Sequence, residues 1–162
     1  MIFLISFFSF IFEYIFNILF HGSIFTGLIV FSSMVLLEPY FKKNKDKYFV
    51  FCFLLGLFYD IVYTGTYFMN AGIFLIIGCI VIYIDSVTPN NLFVSILELL
   101  FLIVLYRFLC FLFLFLNGVI GFDLFLFFRS IYSSIILNII YGVCLYFILL
   151  FISSKFKIKR IN

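Results

Sequence analysis

Apolar positions dominate this chain in runs long enough to cross a lipid bilayer. A spanning helix needs about 20 apolar residues, because the hydrocarbon core of a bilayer is roughly 30 Å thick. The runs are apolar on every face, whereas the strands of a membrane β-barrel alternate apolar and polar residues. The pattern therefore predicts an all-α polytopic membrane protein, folded as a six-helix transmembrane bundle. The predicted spans cover residues 2–20, 23–41, 48–63, 67–85, 91–117 and 130–153.

Composition supports a membrane protein and excludes a water-soluble domain. Apolar residues make up 67% of the 162 residues and charged residues 10%, with a mean hydropathy of +1.37. A soluble domain is about half apolar and a quarter charged, and a disordered chain is poorer still in apolar residues. No stretch between the spans is long enough to fold by itself. Residues 1–162 are therefore expected to form a single integral-membrane domain without internal repeats.

Two basic clusters predict the orientation of the bundle. Four lysines lie in residues 42–47, and three lysines and an arginine lie in residues 155–160. Short loops rich in Lys and Arg stay on the cytoplasmic side of a membrane. Four predicted spans separate the clusters and two precede the first one. Both termini and residues 42–47 are therefore expected to be cytoplasmic.

The first span carries a polar stripe. Its members fall within about 120° of arc at 100° per residue, and they are Ser6, Ser9, Glu13, Asn17 and His21. Polar groups inside a membrane normally face the interior of a bundle. Two interpretations remain open: the stripe forms interhelical hydrogen bonds, or Glu13 and His21 line a ligand cavity or a proton path.

The third span combines a small residue, an acid and a break. Gly56 lies one turn before Asp60, so a neighbouring backbone can approach closely beside the acid. Residues 64–66, centred on Gly65, then interrupt the helix at a depth where the backbone must be sheltered by protein. Asp60 has two candidate roles: it neutralises a deep cation such as Arg107, or it accepts hydrogen bonds from backbone groups freed at the break.

The fifth and sixth spans carry further polar residues. Glu98 and Arg107 are nine residues apart, which places them on opposite sides of a helix, so they cannot pair within it. Arg107 is deep enough to need a carboxylate or a route to the interface. One face of the sixth span is polar, with Ser130, Ser133, Ser134, Asn138 and Tyr141.

Catalytic and cofactor signatures are missing from the sequence. The chain has one histidine, no HExxH or GxSxG motif and no phosphate-binding loop. Its four cysteines stand alone in apolar runs, without the spacing of a metal site or a disulfide framework. The expectation is a protein that is not an enzyme, has no cofactor and contacts the lipid bilayer. The basic turn is interpreted as an orientation signal rather than a nucleic-acid site.

One segment resembles a known family. Residues 51–60 form an apolar run that ends in the pattern G-L-x-x-D, from Gly56 to Asp60, and are followed by Gly65, residues 70–72 and Gly78. This pattern resembles the rod shape-determining protein family MreD, which also has similar length, six spans and a basic second loop. About 30 residues carry the resemblance. The chain departs from the family at residues 67–69, Tyr-Phe-Met, where a small residue or Gly is usual.

The resemblance implies a function and a location. It implies a non-enzymatic scaffold subunit of the bacterial cell-elongation complex, which directs peptidoglycan synthesis and rod shape. The implied partners are an MreC-like bitopic protein, MreB and the polymerase–transpeptidase pair. The implied location is the bacterial inner membrane. The structural or interaction residues expected from the motif and from the polar positions are Gly56, Asp60, Gly65, Asn70, Glu13, Glu98 and Arg107.

A rival hypothesis is a small-molecule-binding membrane subunit of an energy-coupling-factor vitamin importer. Such subunits are also small, have six spans and lack motor motifs. A binding subunit needs polar or aromatic groups that converge on an outer cavity. The outward loops at 20–23 and 64–67 are minimal, and 117–129 is mostly apolar, with Phe and Leu the commonest residues. The loops therefore favour the scaffold. A small membrane enzyme is a third hypothesis, which lacks a set of catalytic residues.

Overall fold

The computed structural model describes residues 2–19, 27–41, 44–66, 68–89 and 91–156. Every element in this part of the chain is helical, as predicted. α2 continues into a 3₁₀ turn, Glu38–Tyr40, and α3 continues into a π-helical turn, Asp60–Thr64. The helices are α1 (Ile2–Leu19), α2 (Ile29–Leu37), α3 (Lys45–Tyr59), α4 (Met69–Val87), α5 (Leu92–Leu116) and α6 (Leu124–Phe156).

Five helices of the described chain are long and apolar enough to cross a membrane, and a sixth apolar helix is shorter. The multi-pass helical class is therefore confirmed. The second predicted span differs from the structure, because its apolar helix covers only Ile29–Tyr40. Twelve residues reach about 18 Å at 1.5 Å per residue, which is little more than half of a bilayer core. The first residues of that predicted span, 23–26, lie outside the described chain. The sixth predicted span is also longer than expected and begins at Leu124.

α2 forms the centre of the bundle. All nine of its residues are buried, and it packs against α1, α5 and α6. A helix without a polar face is expected to be surrounded by other elements. Its two serines bond back to the helix itself: the Ser32 hydroxyl donates to the Leu28 carbonyl and the Ser33 hydroxyl to that of Val30. The short second helix is thus a core element of the bundle.

α1 buries its polar stripe and exposes its apolar surface. Ser6, Ser9 and Glu13 are buried, whereas Phe3, Phe7 and most other apolar side chains of the helix are exposed. The predicted interior face is therefore confirmed for these three residues. The Ser9 and Tyr141 hydroxyls lie 2.8 Å apart, which joins α1 to α6. This inside-out arrangement is the one expected when the surrounding solvent is hydrocarbon.

Several ends of helices gather at one end of the bundle. Phe3, at the start of α1, contacts Phe51 near the start of α3. Phe41, after α2, packs on Tyr48, and the Tyr40 hydroxyl donates to the carbonyl of Leu149 in the last turns of α6. The described ends of the chain therefore lie at the same end as the α2–α3 connection, and the α3–α4 turn lies at the opposite end.

Candidate functional site

The predicted break after the third span is a specific turn. The last residues of the helix, Asp60–Thr64, widen into a π-helical turn, and the Gly65 amide donates to the Asp60 carbonyl at 2.8 Å. Gly65 has a φ of 61°, a left-handed conformation that glycine adopts without steric cost. Gly65 therefore ends α3 in the manner of a glycine after a helix C-terminus.

Asp60 closes this turn by capping the next helix. Its carboxylate accepts the backbone amide of Asn70 at 3.0 Å and that of Ala71 at 3.1 Å. These amides belong to the first turn of α4, where no carbonyl of the helix itself is available to them. The hydroxyls of Thr64 and Thr66 donate to the same carboxylate, at 3.2 and 2.6 Å. Of the two candidate roles for Asp60, the contacts agree with the capping of freed backbone.

Arg107 contributes none of the hydrogen bonds that Asp60 receives in the described chain. The Arg107 side chain instead turns to α6, where Nε and a terminal guanidinium nitrogen donate to the Ser134 hydroxyl oxygen. Ser134 in turn donates to the carbonyl of Ser130. The ion pair between Asp60 and Arg107, which was the other candidate role, is therefore not formed.

Gly56 permits the contact that brings this cap together. A Cβ on Gly56 would lie 2.5 Å from the Ala71 Cα and 2.7 Å from the Asn70 carbonyl oxygen. Real Cβ atoms do not approach backbone this closely, so the α3–α4 contact requires glycine at this position. The close approach predicted from the Gly56 and Asp60 spacing is therefore present, and it sets the α4 backbone against the Asp60 carboxylate.

Asn70 connects three helices. Its side-chain amide donates to Asp60 at 2.8 Å and to the Thr64 hydroxyl at 3.1 Å. Its amide oxygen accepts the Tyr106 hydroxyl of α5 at 2.7 Å. Asn70 is fully buried, so each of these bonds replaces hydration that the side chain has lost. The motif residue Asn70 thus fixes α5 to the α3–α4 hairpin.

Glu13 caps the other helix that begins inside the bundle. The carboxylate is fully buried. One oxygen accepts the Val30 amide in the first turn of α2 at 2.7 Å, and the other accepts the Tyr59 hydroxyl at 2.8 Å. The Leu28 amide, just before α2, donates to the Asn138 side chain at 2.9 Å. Interhelical hydrogen bonding, one of the two interpretations of the α1 stripe, therefore accounts for Glu13.

These contacts, linked through the adjacent residues Tyr59 and Asp60 and the adjacent residues Tyr106 and Arg107, form a set that we call the polar belt. Each of the six helices supplies a member, by a side chain or, in α2, by the Val30 amide. Asn138 completes the link between Ser134 and α2 by donating to the Ser134 carbonyl. The side chains of the polar belt are Glu13, Tyr59, Asp60, Asn70, Tyr106, Arg107, Ser134 and Asn138.

A cavity of about 350 Å³ lies beside the polar belt, toward the end of the bundle that carries the α3–α4 turn. Tyr59, Tyr106 and Arg107 line it from the belt side, and Asn17 and Leu114 line it from the ends of α1 and α5. Its volume is within the range of small-molecule pockets. The outward loops did not predict this cavity, because most of the described residues that line it lie on helices.

Other predicted residues lie apart from the belt. Glu98 is on α5, more than two turns before Arg107, and its Oε1 is buried without a hydrogen-bond partner among the described residues. His21 and the cationic residues Lys42, Lys43, Lys157, Lys159 and Arg160 lie outside the described chain. Within the described ranges, no group of three His, Cys, Asp or Glu side chains is placed to hold a metal ion.

Sequence reasoning did not identify Tyr106 or the pairing of Glu13 with α2. Tyr106 is one of 11 tyrosines in an almost uniformly apolar chain, and nothing in its neighbours distinguishes it. The signal for Glu13 was stronger, since a fully buried acid in a membrane requires hydrogen-bond donors. One of those donors is the Val30 amide, in a helix that begins at Ile29 and therefore six residues after the start of the predicted second span.

The comparisons with known proteins are negative: no family model, curated protein or solved structure matches this chain.

Proposed function

We propose that this chain is a non-enzymatic membrane scaffold subunit of the bacterial cell-elongation complex. The proposal rests on the resemblance of residues 51–78 to the MreD family. In this proposal the protein acts in the bacterial inner membrane, together with an MreC-like bitopic protein, MreB and the polymerase–transpeptidase pair. Its contribution is a fixed shape in the membrane that holds partners in register.

The observation that carries the proposal is the use of the motif residues. The four motif residues all stabilise one helix hairpin, α3–α4, and its attachment to α5; they are Gly56, Asp60, Gly65 and Asn70. The Asp60 carboxylate accepts hydrogen bonds from backbone amides and hydroxyls. These bonds give it a structural role in the hairpin rather than a catalytic role. A motif that builds a rigid hairpin fits a scaffold better than a catalyst.

The orientation belongs to the same proposal. Both termini and residues 42–47 face the cytoplasm, because the two basic clusters lie there. Cysteines introduced at Asn44 and Asn162 of a cysteine-free protein test it. Neither site should react with a membrane-impermeant maleimide in intact cells, and both should react after permeabilisation. Labelling of either site in intact cells would contradict the proposed orientation.

Depletion in the native host tests the function. Loss of a scaffold of elongation should turn a rod-shaped cell round, or misplace wall synthesis in a cell of another shape. Complementation with Asp60→Ala should fail, whereas Gly72→Ala should restore shape. Gly72 is the matched control because it lies beside Ala71 in α4 and has open space around its Cα. Unchanged shape and wall synthesis after depletion would refute the scaffold function.

One observation favours a second candidate, the small-molecule-binding subunit of an energy-coupling-factor vitamin importer. The cavity beside the polar belt offers polar and aromatic walls of the kind that the outward loops lack. Crosslinking of the intact protein followed by purification distinguishes the two candidates. Recovery of elongation proteins supports the scaffold, whereas recovery of an importer ATPase, with a vitamin-uptake defect on depletion, supports the importer.

A further inference from the structure

A narrow apolar groove runs between α1 and α3 on the outside of the bundle, and we call it the α1–α3 groove. Its volume is about 420 Å³. Its walls include the exposed side chains of Phe7, Ile11 and Phe58, and the buried residues Ser6 and Leu55 also line it. The Ser6 hydroxyl already donates to a carbonyl of its own helix. The groove therefore offers an almost entirely apolar surface to whatever surrounds the bundle.

Aromatic side chains, rather than close backbone packing, join α1 to α3 along this groove. Phe3 packs against Phe51 with ring centroids 6.3 Å apart, and Phe10 packs against Phe58 at 6.5 Å. The Tyr63 hydroxyl donates to the Phe10 carbonyl at 2.7 Å. The same order of contacts along both helices shows that α1 and α3 run in the same direction, so the groove is a regular feature of the fold.

The dimensions of the groove fit one acyl chain and exclude a helix. On α1 its lining runs from Phe3 to Tyr14, which is about 16 Å along the helix. That length is close to half of a bilayer core of about 30 Å, the depth of one leaflet. Over this length the volume corresponds to a cross-section of about 25 Å², whereas a helix with its side chains is about 10 Å wide. A lipid chain from one leaflet can therefore fill the groove, and a transmembrane helix cannot enter it.

The groove continues to the basic end of the bundle. Phe3 also lines a second recess of about 330 Å³, whose other walls include Phe51 and Lys47. Lys45 and Lys47 are exposed in the first turn of α3. In sequence they belong to residues 42–47, which contain four lysines and one aspartate. The end of the groove that starts at Phe3 therefore carries an excess of positive charge.

We propose that the α1–α3 groove binds one anionic phospholipid, with an acyl chain in the groove and the headgroup at Lys45 and Lys47. Basic residues at the membrane surface attract anionic headgroups. The chain exchanges one apolar surrounding for another, since lipid tails are as apolar as the groove. The groove therefore fixes the place of the lipid, and the lysines select its headgroup. The inference goes beyond the scaffold function and does not depend on it.

The absence of tryptophan from the chain allows lipid contact to be measured by fluorescence quenching. Phe7→Trp places a single tryptophan on the groove wall, and Leu97→Trp places one on the exposed surface of α5. Each position lies five residues after the first residue of its helix, which matches their depths. Full-length protein in phosphatidylcholine nanodiscs receives increasing fractions of phosphatidylglycerol or phosphatidylcholine with brominated acyl chains. Bromine quenches tryptophan only at close contact, so quenching reports which lipid lies beside each reporter.

At Phe7→Trp we expect half-maximal quenching at a fraction of brominated phosphatidylglycerol at least about fivefold lower than that of brominated phosphatidylcholine. At Leu97→Trp the two lipids should quench alike. Replacement of Lys45 and Lys47 together by Gln should reduce the preference at Phe7→Trp to less than about twofold. Arg129→Gln, which removes an exposed arginine of α6 near its start, should leave that preference unchanged.

A second pair of variants tests the groove without a change of charge. Ile11→Phe puts a ring into the groove and should remove the preference at Phe7→Trp, whereas Ile18→Phe, exposed two turns further along α1, should keep it. Equal quenching by the two lipids at Phe7→Trp would indicate ordinary boundary lipid and overturn the proposal. A preference that survives loss of both lysines, or survives Ile11→Phe, would also overturn it. Quenching at Leu97→Trp with none at Phe7→Trp would assign the groove to another protein surface and reject the lipid.

Discussion

Two helices of this bundle begin inside the protein, and both are capped by a carboxylate from the helix before them. Glu13 of α1 accepts the Val30 amide of α2, and Asp60 of the α3 turn accepts the Asn70 amide of α4. Val30 and Asn70 are each the second residue of their helix. In both cases the capping residue at the helix start itself, Leu28 or Phe68, makes no side-chain cap. An acid from elsewhere takes over the role that Ser, Thr, Asp or Asn at that position would have.

The two caps differ in what their second oxygen binds. Both oxygens of Asp60 accept backbone amides, from Asn70 and Ala71. One Glu13 oxygen accepts the Val30 amide and the other accepts the Tyr59 hydroxyl, and the Ile29 amide also lies within reach of the carboxylate. A hydroxyl can rotate to exchange donor for acceptor, whereas a backbone N–H can only donate. At the cap of α4 both carboxylate oxygens therefore have to accept from backbone amides, whereas at the cap of α2 one oxygen is bonded to a hydroxyl that can reverse its role.

Removal of the Asp60 carboxylate should have the largest effect. Asp60→Ala leaves the Asn70 and Ala71 amides buried without acceptors, at about 1–3 kcal/mol for each stranded donor. We expect a loss of roughly 2–6 kcal/mol, seen as a lower unfolding temperature and less folded protein in detergent. Asp46→Ala, at an exposed position in the first turn of α3, is the control for loss of an acid. Wild-type stability of Asp60→Ala would remove the capping role.

A methyl group at Gly56 should separate the α4 cap from its carboxylate. Gly56→Ala puts a Cβ 2.5 Å from the Ala71 Cα, and overpacking of this kind costs about 1–3 kcal/mol. The comparison is Gly72→Ala, which meets nothing within 4 Å and should match or exceed wild-type stability, since alanine is the better helix former. Equal thermal stabilities of the two variants would show that the helices separate without cost.

Amide substitutions test the difference between the caps directly. Asp60→Asn keeps one acceptor and turns an NH₂ group toward a backbone N–H, so we expect a loss of about 1–3 kcal/mol. Glu13→Gln keeps the acceptor for Val30, and its NH₂ can donate to the Tyr59 oxygen, so the loss should stay below about 1 kcal/mol.

Chemical unfolding of the two amide variants in parallel measures both losses. Adding Tyr59→Phe to Glu13→Gln should cost about as much as the same change in wild type if Tyr59 accepts the new bond, and clearly less if it does not. A larger loss of stability in Glu13→Gln than in Asp60→Asn would contradict the proposed difference between the two caps.

Substitution of Phe68 should have the smallest effect on stability, and it should increase stability. It stands at the start of α4 with a φ of 57°, a left-handed conformation that costs a residue with a Cβ about 1–2 kcal/mol. Phe68→Gly should raise stability by about 0.5–1 kcal/mol after the entropy cost of glycine. Phe68→Ala keeps the strain and should give no gain in the unfolding temperature. An equal gain for both variants would assign the effect to loss of the exposed ring.

The sequence anticipated the parts of this site that depend on local order. The spacing of Gly56, Asp60 and Gly65 predicted a close helix approach, an acid and a break, and all three are present. These features were visible because one turn of helix and the residues after it determine them.

Hydrophobicity along the chain determined a multi-pass helical protein, because the cost of exposing backbone polar groups in lipid leaves few other structures. It did not locate the start of α2: the predicted span begins at residue 23, whereas the helix begins at Ile29, just after Thr26 and Gly27 in the sequence. Only the tertiary structure decided that Glu13, 17 residues away in sequence, caps that helix and that Asn70, Tyr106 and Arg107 meet beside one cavity. Those contacts depend on which helices become neighbours, and that choice is made by the packing of the whole bundle.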